Sequence, residues 1–166
     1  MGSKNRDYLR IVMGVVIAVI LGGMLIPFVR MLPTPAMMGI MQAPIYTICA
    51  YLTLESVRIK HAIILFGSLL GLILSIFMPY IFFVTVIPAI LGHLFFKKSS
   101  GKAVVFASMQ FNLMLPIIMP LDTPNFWFFS LFGFIASLTL SILALVFAKQ
   151  IKPRILKGQL ANEEKN

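Results

Sequence analysis

Three amide side chains, Gln42, Gln110 and Asn112, lie inside long apolar runs of this 166-residue sequence. Hydrocarbon satisfies none of an amide's hydrogen-bonding groups, at a cost of about 1–3 kcal/mol if they stay unpaired. Each amide must therefore bond a neighbouring element or face a cavity. Gln110 and Asn112 stand two apart and do not share a helix face, so at most one points into any given cavity. Thr47 adds a hydroxyl near Gln42. At the ends of the same runs stand Arg30, Tyr46, Tyr80, Asp122, Asn125 and Trp127. Apolar walls with a few convergent polar groups describe a small-molecule pocket; interhelical hydrogen bonds plus an interfacial aromatic are the alternative. In the pocket reading Arg30 partners an anionic group on the solute, with Asp122 as its resting counter-ion. Trp127, Tyr46 and Tyr80 would stack on a flat ring, each contributing on the order of 1 kcal/mol. The expected binding set is Arg30, Gln42, Tyr46, Tyr80, Gln110, Asn112, Asp122 and Trp127, for a small, partly aromatic or amphipathic solute.

Other chemistries have thinner support. Cys49, Glu55, His61 and His93 fall near one another in depth, and a thiol with an imidazole is the minimum for a cysteine nucleophile. An intramembrane cysteine peptidase could be built that way, although a lone membrane cysteine is more often inert packing. Glu55 and Arg58, three apart, read as an ion pair at a helix end. Met31, Met37, Met38, Met41, Met78, Met114 and Met119 offer thioethers to Cu(I), yet no His or Cys accompanies them, and methionine also fills apolar gaps. No metal site and no cofactor is expected. The sequence has no phosphate-binding glycine loop, no HExxH and no paired carboxylates in an apolar run. The chain is thus not read as an enzyme and has no ATPase motif of its own. A proton-coupled carrier is disfavoured too, since it needs a titrating group in the membrane.

The elements that must position these residues follow from composition. Hydrophobic residues make up 60% of the chain and charged ones 11%, more apolar surface than a soluble domain of this size can cover. The sequence predicts an all-α integral membrane protein, a bundle of six transmembrane helices at about 9–28, 36–54, 61–77, 80–96, 103–119 and 126–148. Pro44, Pro88 and Pro116 interrupt three of them, and a polar tail, 149–166, frays after Pro153. The first run has no small-residue cleavage site behind it and reads as a retained helix. With six spans, thirteen of the fourteen basic residues fall on one side and only Arg30 on the other. Loops rich in Lys and Arg stay cytoplasmic, so both termini are expected inside a prokaryotic cytoplasmic membrane. The net charge of +9 is then a matter of topology and anionic lipid, with no nucleic-acid partner. The single cysteine excludes an internal disulfide.

Small residues recur every four positions in three of these helices: Gly14, Ala18 and Gly22; Gly67, Gly71 and Ser75; Gly133, Ser137 and Ser141. Such ladders permit close helix approach, either within the bundle or to a second membrane subunit. In size, helix number and termini the whole chain resembles the substrate-binding S components of energy-coupling factor (ECF) transporters, which take up vitamins and other micronutrients. The resemblance implies that Gly14, Ala18 and Gly22 dock on a transmembrane coupling subunit. It also implies that two separate ATPase subunits supply the energy, and that a small-molecule nutrient sits on the outer side. The outer loops holding Arg30, Pro33 and Pro35, then Pro79 and Tyr80, then Asp122 and Asn125 would roof that site. A non-transport cell-envelope scaffold of the MreD type is the alternative.

The charge asymmetry sets a topology test. With single cysteines at Thr34, Ser56, Ser100, Thr123 and Gly158 in a Cys49→Ala background, a membrane-impermeant thiol reagent should label only positions 34 and 123 in intact cells. Labelling at position 100 would break the six-span arrangement.

Overall fold

In a largely apolar chain the backbone's own N–H and C=O groups are the only abundant partners for each other, and a helix pairs them within one segment. The structure, a computed structural model, describes residues 3–25, 27, 38–77, 79–118 and 126–163. Among these every regular element is a helix: α1 Ser3–Met24, α2 Met38–Ser56, α3 Ala62–Ser75, α4 Ile81–Phe95, α5 Ser100–Met109, α6 Phe111–Ile118 and α7 Phe126–Glu163. Two stretches, Asn5–Met24 and Trp127–Arg154, are long and apolar enough to cross a membrane. Both turn large apolar side chains outward, such as Met13, Ile17 and Ile20 on α1 and Leu131, Ile135 and Leu143 on α7. α3 and α4 have 14 and 15 residues, roughly 21–23 Å at 1.5 Å per residue, against about 30 Å of hydrocarbon.

Boundaries differ most from the sequence expectation in three places, the first being α1, which begins at Ser3 instead of about residue 9. The fifth predicted segment divides at Gln110, six residues before Pro116. There the Gln110 carbonyl accepts from the amides of both Leu113 and Met114 at 3.1 and 2.9 Å. The tail expected to fray is instead helical, α7 running through Pro153 to Glu163. Lys152, one residue before that proline, is tied by an ion pair to Glu55 at the end of α2. The expected Glu55–Arg58 pair is thus replaced by a tertiary one, and the Arg58 backbone amide donates to Asp7 Oδ2 at 3.1 Å instead. With Arg10 Nη1 donating to the Ser56 carbonyl at 2.8 Å, these contacts clasp the start of α1 and the middle of α7 to the end of α2.

α2 is the centre of the packing: it touches α1, α3, α5, α6 and α7, while α3 and α4 form a close hairpin. All three small-residue ladders contribute to this interior. A methyl group added at Gly14 would collide with the Thr53 hydroxyl of α2, and Ala18 is buried. Gly67 and Gly71 admit α4, since a Cβ at Gly67 would lie 2.6 Å from that of Ala89 and one at Gly71 would strike the Thr85 hydroxyl. Ser137 and Ser141 are fully buried and bond across to α6 and α5. Gly14 thus permits close approach to α2, and Ala18 lies in the buried interior.

Gly71→Leu, which forces Thr85 and the Phe82 backbone away, should destabilise the protein by about 1–3 kcal/mol in reversible unfolding from detergent micelles. A Cβ at Gly23 meets nothing within 4 Å, so Gly23→Leu should cost less than about 0.5 kcal/mol. Equal losses would contradict this packing.

Candidate functional site

The packing around α2 is incomplete toward one end of the bundle. Between α1, α2, α3, α4 and α5, toward the helix ends away from the basic residues, lies a cavity of about 280 Å³. Small residues make the room: Ala18, Gly22 and Gly23 on α1, Gly39 and Ala43 on α2, and Ala107 on α5. A Cβ at Gly22 or Gly23 would meet no atom within 4 Å, so those glycines border open space rather than a packed neighbour. Val19, Ile45, Leu70, Leu74, Phe77 and Val84 supply apolar wall.

The polar groups in that wall are few and uncharged: Gln42, Tyr46, Thr85 and Ser108. The Thr85 hydroxyl donates back to its own helix, at 3.1 Å to the Ile81 carbonyl or 3.0 Å to that of Phe82. Ser108 Oγ sits in a buried chain, accepting from Thr47 Oγ1 at 3.0 Å and lying 2.8 Å from Ser141 Oγ, which ties α2, α5 and α7 together. The Tyr46 ring meets Phe66 edge-on with centroids 5.5 Å apart, and its hydroxyl is buried without a hydrogen-bond partner among the described residues. A buried hydroxyl without a partner costs free energy that an incoming acceptor or donor would return. No acidic or basic side chain lines the cavity among the described residues. The arrangement suits a small, largely apolar molecule with one hydrogen-bonding edge.

Of the residues expected at the site, the structure brings Gln42 and Tyr46 together on one side of this cavity, with Ala18 and Gly22 facing them. Asn112 is fully buried elsewhere: its Nδ2 donates to the Gly133 carbonyl at 3.0 Å and to Ser137 Oγ at 2.5 Å. Gly39 lets α2 lie against that amide, a Cβ there falling 2.5 Å from Asn112 Oδ1. Asn112 is thus interhelical glue and no part of the cavity wall. Gln110 is half-buried at the α5–α6 break and Tyr80 half-buried before α4; neither lines the cavity. Trp127 is 65% exposed on the outer face of α7. Arg30, Asp122 and Asn125 lie outside the described residues. Thr85, Ser108 and Gly39 were not singled out in the sequence.

The chemistry considered for Cys49 is not assembled. Cys49 is buried in the apolar core, and no hydrogen bond joins it to an imidazole among the described residues. His61 Nδ1 and His93 Nε2 face each other at 3.0 Å, so each imidazole engages the other. Among the described residues no three His, Cys, Asp or Glu side chains are grouped to hold a metal. The chain matches no known protein family, no curated protein and no solved structure.

Proposed function

We propose that this protein is a membrane-embedded solute-binding subunit that captures a small, largely uncharged nutrient for uptake. In this reading α1, α2, α3, α4, the broken pair α5–α6 and α7 are six crossing segments of one multi-pass bundle. The basic helix ends face the cytoplasm, and the cavity lies in the outer half. In such a bundle the short α3 and α4 would be matched by local thinning of the bilayer.

The observation that carries the reading is the 280 Å³ cavity itself. Glycines and alanines hold it open, it has apolar walls, and its few polar groups come from α2, α4 and α5. A bundle whose only task was scaffolding would gain stability from larger side chains at Gly22 and Gly23, where space is available. Without a nucleotide-binding loop in the chain, energy for uptake would come from two ATPases acting through a transmembrane coupling subunit, as in ECF transporters. With Gly14 against α2 and Ala18 in the buried interior, that subunit would meet the exposed apolar face of α1 or another surface, and the small-residue ladder would serve the solute cavity.

Native mass spectrometry of the purified chain tests the proposal. The wild type should carry a small non-lipid molecule. Gly22→Leu, which projects into the cavity, and Gln42→Leu should each reduce its occupancy tenfold or more, about 1.4 kcal/mol. Trp127→Ala, remote from the cavity wall, should leave occupancy unchanged. A wild type that releases no small molecule, or Gly22→Leu protein that retains it fully, contradicts the assignment.

A further inference from the structure

A second, smaller notch opens at the opposite end of the molecule, among the basic residues. Its volume is about 80 Å³, room for one tetrahedral anion. Lys60 enters it from the α2–α3 connection, His93 and Lys97 from the end of α4, and Ser100 from the start of α5. Ser100 is the first residue of α5, so the positive end of that helix dipole lies at the notch, where Ser99 caps the helix by accepting from the Lys102 amide at its Oγ and from the Ala103 amide at its carbonyl. The floor is apolar, from Ile59, Ile63 and Phe96.

The charge here is unbalanced. Among the described residues no carboxylate lines the notch, and neither Lys60 nor Lys97 is in an ion pair. The two nearby acids are engaged elsewhere, Glu55 with Lys152 and Asp7 with the Arg58 amide. His93 is oriented by the 3.0 Å contact of its Nε2 with His61 Nδ1, a geometry that needs at least one of those two nitrogens unprotonated. Two exposed lysines outside any ion pair among the described residues, an imidazole, a hydroxyl and a helix start line one small concavity, beside the exposed apolar Leu94 and Phe95. Basic pockets between membrane helices hold anionic headgroups by this chemistry.

We propose that this notch binds a phosphate group, and that the group is the headgroup phosphate of an anionic lipid whose chains lie against the adjoining apolar surface. The lipid source rests on the membrane reading above; the phosphate chemistry does not.

The full chain in detergent is exposed to phosphatidylglycerol or to phosphatidylcholine, and retained lipid is read by native mass spectrometry. Phosphatidylglycerol should be retained at least tenfold more than phosphatidylcholine. Lys60→Gln with Lys97→Gln should reduce that preference to within twofold. Lys98→Gln with Lys102→Gln removes the same charge from side chains outside the notch and should change the preference less than twofold. Displacement of the lipid by millimolar inorganic phosphate would keep the site and assign it to free phosphate. Equal loss in the two double variants would mean diffuse attraction and overturn the proposal, as would a Lys60/Lys97 variant with undiminished preference. Gly22→Leu should leave lipid retention unchanged, which separates failure here from failure of the solute cavity.

Discussion

The position of α2 at the centre of the bundle is the constraint on which the other helices depend. Polar contacts at two depths and a close steric fit at a third hold it in register. At one end Glu55 pairs with Lys152 of α7. Midway, Thr47 joins α5 and α7 through Ser108 and Ser141. Near the start, Gly39 fits against the Asn112 side chain, which is itself fastened to α7 at Gly133 and Ser137. Shifting α2 by one turn would part the buried Thr47 hydroxyl from Ser108, at a cost of about 1–3 kcal/mol, break the Glu55–Lys152 pair and set a side chain in place of Gly39 against Asn112. Hydrophobic matching alone gives no such discrimination between helices, because one apolar face packs much like another.

That fixed position determines where space remains. α2 is held tightly to α7 and α5 on one side. On its other side Gly14 and Thr53 bring α1 close at the basic end, while Gly22 and Gly23 leave α1 separated from its neighbours farther along. The cavity is the consequence of those two unequal contacts along one helix. Gln42 and Tyr46, one turn apart on α2, therefore face a void whose shape the polar ties of α2 keep constant. A preformed site of this kind loses little ordering free energy when a ligand enters.

How far the sequence spoke can be followed residue by residue. Helix positions were legible because apolar runs alternate with Pro-, Gly- and Lys-rich breaks, and α2, α3 and α4 begin and end within about two residues of expectation. The ladders announced close approach, yet spacing alone does not name the partner helix; Thr53, Thr85 and Ser108 decide that, and they lie far away in sequence. Asn112 illustrates the same limit. Its burial cost was evident, while the bond from its Nδ2 to the Gly133 carbonyl depends on α7 crossing at that point, and its Oδ1 has no partner among the described residues. Thr85 and Ser108 gave no signal, since a single hydroxyl in a helix ordinarily bonds back to its own carbonyls, as both do here. The Glu55–Lys152 pair spans 97 positions and left no local trace, whereas the i,i+3 pattern with Arg58 did.

In the proposed reading the cavity beside Gly22, Gln42 and Tyr46 is a solute site. Its most direct test is an experimental density map of the full chain purified from membranes without added ligand. Compact non-protein density bounded by Gly22, Gln42, Tyr46, Thr85 and Ser108 is expected, with its loss in Gly22→Leu protein of unchanged fold. A wild-type map in which α1 closes onto α2 and α4 along its whole length, leaving no such space, would contradict it.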